Sequence, residues 1–302
     1  MMLLLSKRFW MIVVGFAVAC GSQVSHACST CLCGDPTLTT LGLEKPYEGR
    51  ARLSLSSLYR VEEIGQKGFN DREITEQRYT LGVSYWPSKT LAMGMRLPWI
   101  EKTLETANLA EEESASLGDL ELDMRWYGYK NKPNRPSHIA GLQFGLRIPT
   151  AEEKKQDGEA LDFDVQPGAG LWIPNLGAWY GYFKFPWFVN VSMVANIGVG
   201  EGHADYRFGN ALNTTFLTQY AYTPSVAFQL GFDTRWSGRD EFAGETDKDS
   251  GGFIGYVSPG IVLSVVEDMQ INLSAQLVAI DQLNGDHAED SLFNIGISYD
   301  IQ

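Results

Sequence analysis

From Arg50 onward, apolar side chains recur at every second position in segments of roughly ten residues. A period of two is the signature of a strand with one greasy and one polar face. Thr90–Trp99 shows it most cleanly, with Leu91, Met93, Met95, Leu97 and Trp99 on a single face. About twelve such segments are predicted: Arg50–Val61, Glu73–Trp86, Thr90–Trp99, Gly118–Tyr129, Ile139–Pro149, Asp162–Ile173, Trp187–Val199, Leu212–Tyr222, Val226–Trp236, Phe253–Val266, Met269–Ile280 and Ser291–Ile301. The connections alternate between long and short. Pro87-Ser88-Lys89, Thr223-Pro224-Ser225 and Glu267-Asp268 are tight turns, while the stretches after Trp99 and Trp236 are long and acidic. Pro174–Pro186 reads as an aromatic connection, somewhat long for a turn. Strand length, period and loop alternation together match an all-β transmembrane antiparallel β-barrel, whose bacterial single-chain forms have an even number of strands.

A soluble β-sandwich would show the same period, so further signals must separate the two. Tyr85, Trp86, Trp126, Tyr127, Tyr129, Trp172, Tyr220, Tyr222 and Tyr299 are expected at one level, as the aromatic girdle of a membrane interface. Charge sorts by side as well. The short turns hold Lys89, Lys130, Lys132 and Arg135, and the long loops hold most acids, including Glu101, Glu105 and Glu111 to Glu113. Both signals favour the barrel.

The first residues read as an export signal: Lys7 and Arg8 precede the apolar run from Phe9 to Ala19, and Ser25-His26-Ala27 is a small-x-small cleavage site. The expected organisation is a signal peptide over 1–27, a cysteine-bearing segment over 28–49 on the periplasmic side, and the barrel over 50–302. Ala17-Val18-Ala19-Cys20 offers a competing lipoprotein site, although alanine stands where a larger aliphatic is usual. The implied location is the outer membrane of a Gram-negative cell, with its lipid and lipopolysaccharide as partners. The whole chain carries a net charge of −13, which argues against nucleic acid as a partner. The acidic loops suit bridging to lipopolysaccharide phosphates through Ca²⁺ or Mg²⁺, but solvated acidic loops are the commoner case.

If the apolar face meets lipid, the opposite parity lines the interior. That face carries Arg78, Arg96, Glu121, Asp123, Arg125, Arg147, Asp164, Asp233 and Arg235. Charges of both signs on neighbouring strands are expected to pair, giving a narrow, partly plugged pore constricted by arginine–carboxylate pairs. A fully plugged barrel without conduction is the alternative.

Cys28, Cys31 and Cys33 precede the first strand. They carry three readings: one disulfide plus a free thiol in an oxidising compartment, a soft-metal site for Cu or Zn, or a contact with a periplasmic redox protein. A c-type haem is disfavoured because no histidine follows the Cys-x-x-Cys pair, and no other cofactor is expected. His138, His203 and His287 fall in separate turns or loops and are expected to be solvated. No serine–histidine pairing or nucleophile motif stands out, so a lipid-modifying enzyme is the weakest reading and a non-enzyme is expected.

Ser258-Pro259-Gly260, Gln282-Leu283-Asn284-Gly285-Asp286 and Gly296-Ile297-Ser298-Tyr299 resemble a family of bacterial outer-membrane proteins named for the meta-pathway of phenol degradation. Members usually end on an aromatic residue, whereas this chain ends Tyr299-Asp300-Ile301-Gln302. The resemblance implies a passive channel or transporter for small solutes, hydrophobic or aromatic compounds among them. The alternative is a structural or partner barrel in a periplasmic redox or metal-handling system, in which the cysteines matter more than the pore.

Overall fold

The computed structural model describes residues 48–65, 71–106, 111–133, 136–203, 206–242, 244–248, 250–266, 268–285 and 287–301. The export segment 1–27, Cys28, Cys31, Cys33 and Arg135 lie outside the described residues.

Twelve strands form the wall: β1 Ala51–Ile64, β2 Arg72–Ser88, β3 Leu91–Thr106, β4 Leu120–Lys130, β5 His138–Ile148, β6 Ile173–Lys184, β7 Trp187–Asn196, β8 Ala211–Thr223, β9 Val226–Ser237, β10 Gly252–Val266, β11 Met269–Leu283 and β12 Leu292–Ile301. Each pairs antiparallel with the next, and β12 returns to β1 with Ala51 opposite Ile301 and Tyr59 opposite Phe293. The sheet is therefore closed and keeps no free edge in the wall. Short turns join β2–β3, β6–β7, β8–β9 and β10–β11 at one end, and the long connections gather at the other.

Side-chain alternation divides the wall into two faces. Leu55, Leu81, Met93, Met95, Leu176, Met193, Phe216, Leu230 and Phe293 stand on the outside, each about half exposed. An apolar belt of this extent is far larger than a soluble monomer leaves bare, and it fits a hydrocarbon surround. Tyr129, Trp187, Tyr222 and Tyr299 stand exposed at the turn end, where an interfacial girdle belongs.

Several sequence expectations change here. The segment Asp162–Ile173 is not a strand. Its Phe163–Val165 stretch is a short 3₁₀ turn, Pro167 and Gly168 interrupt the ladder, and Gly170 takes a positive φ of 70°. The sixth strand is instead Ile173–Lys184, the stretch read as an aromatic connection. Its opening Pro174 sits where a strand tolerates proline. The loop expected after Trp99 is partly sheet, because β3 runs to Thr106 and the strand Glu111–Leu117 pairs back onto it. Three aromatic expectations also fail. Trp172 lies at the loop end, bridged to Val199, while Trp86 and Tyr127 point inward.

Candidate functional site: the barrel interior

The turn end of the interior is floored. Trp86, Ala92, Tyr127, Ile139 and Trp179 pack as one buried cluster, with Tyr127 and Trp179 edge to face at 5.1 Å. Beside them Arg50 and Arg52 both bind Asp300, and further round the wall Asn272 donates to Gln229, which donates to Gln219.

Above the floor, charges pair across neighbouring strands. Arg96 on β3 reaches Glu121 at 2.9 Å and Asp123 at 2.8 Å, both on β4, and Arg147 on β5 reaches Glu121 at 2.8 Å. Strand register makes this geometry, since Arg96, Glu121 and Arg147 face one another across three adjacent strands. A second set surrounds Glu76 on β2, which binds Arg60 and Arg78 at 2.8 and 2.7 Å and has Lys102 at 4.0 Å. A third joins Arg235 and the Tyr256 hydroxyl to Glu289. Glu76 and Glu289 are almost fully enclosed, and removing one partner of such a pair strands the other charge at ~3–5 kcal/mol.

The loop end is roofed by the connection from β5 to β6, which folds into the barrel mouth. Both ends of this segment hang on Asp119: its carboxylate accepts from the Ala151 and Ala169 amides at 3.2 and 2.8 Å. Lys102 and Ser114 donate to the carbonyls of Asp164 and Val165. Phe163 stacks on Tyr206 at 3.9 Å, joining the segment to the next loop in a cluster with Leu171, Phe208 and Ala211. Tyr206 donates its hydroxyl to Asp240 at 2.8 Å, and the Gly209 amide does the same at 2.7 Å. Burial pushes the Asp240 carboxyl up to about 6 despite these two donors, with Asp247 and Asp164 adding to the rise.

Between floor and roof lies a cavity of about 140 Å³. Arg96, Glu121, Asp123, Arg125, Arg147, Asp233 and Arg235, all expected on the inner face, line it. Arg78 lines a smaller neighbouring cavity beneath Gln166 and Pro167. Asp164 is displaced from the wall. It sits buried in the roof, with its carboxylate 3.4 Å from Arg72, because the strand expected there is a loop. His287 corrects a further expectation: it is buried and faces Glu62 at 3.7 Å, since His287–Glu289 pairs with the end of β1. His138 bonds the Tyr180 hydroxyl at 2.6 Å.

Sequence reasoning missed Arg60, Glu62, Glu76, Lys102 and Glu289. Arg60 and Glu76 lie inside the predicted first two strands and share parity with Arg52 and Arg78, so the alternation already placed them inward, whereas Glu62, Lys102 and Glu289 lie beyond the predicted strand ends. It also passed over the uncharged inner positions Asn175, Ser192, Asn213 and Thr215, which share the cavity wall.

A family model described as "Putative MetA-pathway of phenol degradation" matches residues 63–300. No curated protein sequence matches the chain. The COG4313 outer membrane channel from Pseudomonas putida F1 superposes with a TM-score of 0.68 at 15% identity, over 84% of this chain and 96% of that one. The translocator domain of the autotransporter NalP from Neisseria meningitidis superposes at 0.53 and 11% identity, over 87% and 92%. At these identities the likeness is one of fold.

Proposed function

Because the chain belongs to this phenol-degradation family, we propose that it is a passive outer-membrane channel for small organic solutes and not an enzyme. The long loops then face outward and the short turns the periplasm. The observation that carries the reading is the interior: a cavity lined largely by charged and polar side chains, inside a closed wall whose outer face is apolar. Ile173, Val194 and Leu292 interleave with the charged groups of the cavity, which suits a solute with a carbon skeleton, hydrophobic or aromatic compounds among them. The similarity in fold to an outer membrane channel supports the same reading. Floor and roof both narrow the path, so a small unit conductance is expected.

Reconstitution of the purified chain into planar bilayers tests this. Discrete current steps that persist after heat-denatured controls fall silent are the expected result. A folded, inserted protein that passes neither ions nor small organic solutes overturns the proposal. For the cysteines we propose the plain thiol and disulfide chemistry of an oxidising compartment, checked by thiol counting before and after reduction.

A further inference from the structure

The turn end of the wall is basic on one side only. The connections β2–β3, β4–β5, β6–β7 and β8–β9 contain no Asp or Glu, whereas Lys89 and Lys132 stand in them and Lys130 and Lys184 close the strands beside them. Glu48, Glu267 and Asp268 belong elsewhere on that rim, ahead of β1 and between β10 and β11. The β2–β3 and β4–β5 turns are fastened to each other. Lys130 donates to the Lys89 carbonyl, and its ammonium lies 5.8 Å from the centre of the Tyr127 ring. The Asn131 side chain accepts from the Ser137 and His138 amides at 3.0 and 3.1 Å and donates to the Ser137 hydroxyl at 2.9 Å, which holds the stretch bearing Lys130 and Lys132. Ser88 and Thr90, bonded to each other, add two hydroxyls on either side of Lys89. On the outer face beside these lysines stands Trp126, half exposed. A Cβ at Gly128 would lie 2.7 Å from its indole, so the ring rests on the Gly128 backbone, two residues short of Lys130. Ammonium and hydroxyl donors therefore adjoin an aromatic plate that leads onto the greasy girth. Phosphate suits the first and hydrocarbon the second.

We infer that the turn-end rim of β3–β5 is a binding site for an anionic phospholipid of the periplasmic leaflet. Its phosphate sits among Lys89, Lys130 and Lys132, and its chains run along Trp126 and Met93 on the outer face. The one-sided charge selects the headgroup, because a basic cluster attracts anionic lipid over zwitterionic lipid with the same chains. From the reading above the inference takes only the orientation that sets the short turns in the periplasm, and nothing about solute passage.

Native mass spectrometry of the detergent-solubilised chain reads lipid retention without conduction. The probes are dioleoylphosphatidylglycerol and dioleoylphosphatidylethanolamine at equal concentration, which share their chains and differ in net charge. The phosphatidylglycerol adduct is expected to be about tenfold the more abundant, since each lysine near an anionic headgroup adds about fivefold at most. Lys89→Gln, Lys130→Gln and Lys132→Gln combined are expected to bring the two lipids level, with the heat-dependent gel shift confirming a folded barrel. Lys155→Gln, in the loop at the far end, is expected to leave the ratio unchanged. Equal retention by the unmodified chain overturns the inference, and so does a preference that the triple variant keeps. An excess of sn-glycerol 3-phosphate is expected to leave the adduct in place; displacement by it assigns the lysines to free phosphate and overturns the lipid. A conducting protein without lipid preference loses the site and keeps the channel. A non-conducting one that selects the anionic lipid keeps the site and loses the channel.

Discussion

Inner-face glycines decide where the charged side chains lie. A Cβ at Gly94 would stand 2.5 Å from the Asp123 carboxylate, and one at Gly145 would stand 2.4 Å from the Asn175 amide. Both side chains therefore lie across a neighbouring strand's backbone, flat against the wall. Gly94→Ala is expected to lift Asp123 off Arg96 and into the cavity, lowering unit conductance while the fold survives, because a carboxylate end can swing away. Gly141 is a different case. Its Cβ would meet the Trp126 carbonyl at 1.8 Å, beside the irregularity between Trp126 and Tyr129 where β4 and β5 lose register. Backbone cannot yield as a side chain does, so Gly141→Ala is expected to cost several kcal/mol, about the upper range of overpacking, and to abolish the heat-dependent gel shift of a folded barrel. Parity alone placed Arg96, Glu121, Asp123, Arg147 and Asp233 on the inner face. It could not say that Asp123 lies flat, because that depends on which residue the register sets beside it.

At the level of elements, the roof is the part that sequence periodicity misplaced. Phe163, Val165, Ala169, Leu171 and Ile173 do alternate, but they pack into buried clusters at the barrel mouth and not toward lipid. Apolar alternation reports a two-sided segment without saying what covers the greasy side. Pro167, Gly168 and Gly170 marked the break, and Pro174 with Pro186 bracketed the true strand. Asp119 pins both ends of the roof, so Asp119→Ala is expected to release it and raise single-channel current several-fold, with the melting of the barrel little changed. A fall in current, or none, counts against the roof as the constriction. The long loops respond to pH through Asp240. Its folded value of about 6 stands above the ordinary 3.8. A raised value contributes stability that is fully present below about pH 4 and lost as pH rises through about 6, worth roughly 3 kcal/mol. Amide protection around Tyr206–Arg207 and Glu241–Phe242 is therefore expected to fall between pH 4 and pH 7, and Asp240→Asn to flatten that dependence.

On the scale of the whole molecule, the strand count and the antiparallel order were readable because lipid imposes the same demand on every strand. One repeated constraint survives a misplaced element: the sixth strand moved by about a dozen residues and the total stayed even. The interior was less readable, since its contacts join residues far apart in sequence, as with Arg52 and Asp300 or Arg235 and Glu289. The outer face, by contrast, needs no partner residue to be understood. Its apolar belt and exposed turn-end aromatics follow from composition at alternate positions and from the solvent they meet.

The join between β1 and β12 leaves every barrel strand already flanked on both sides. Proteins that recruit others by strand addition need an unoccupied flank to offer, and this wall has none. The barrel wall therefore offers other molecules its greasy girth and its two rims, and no strand to extend.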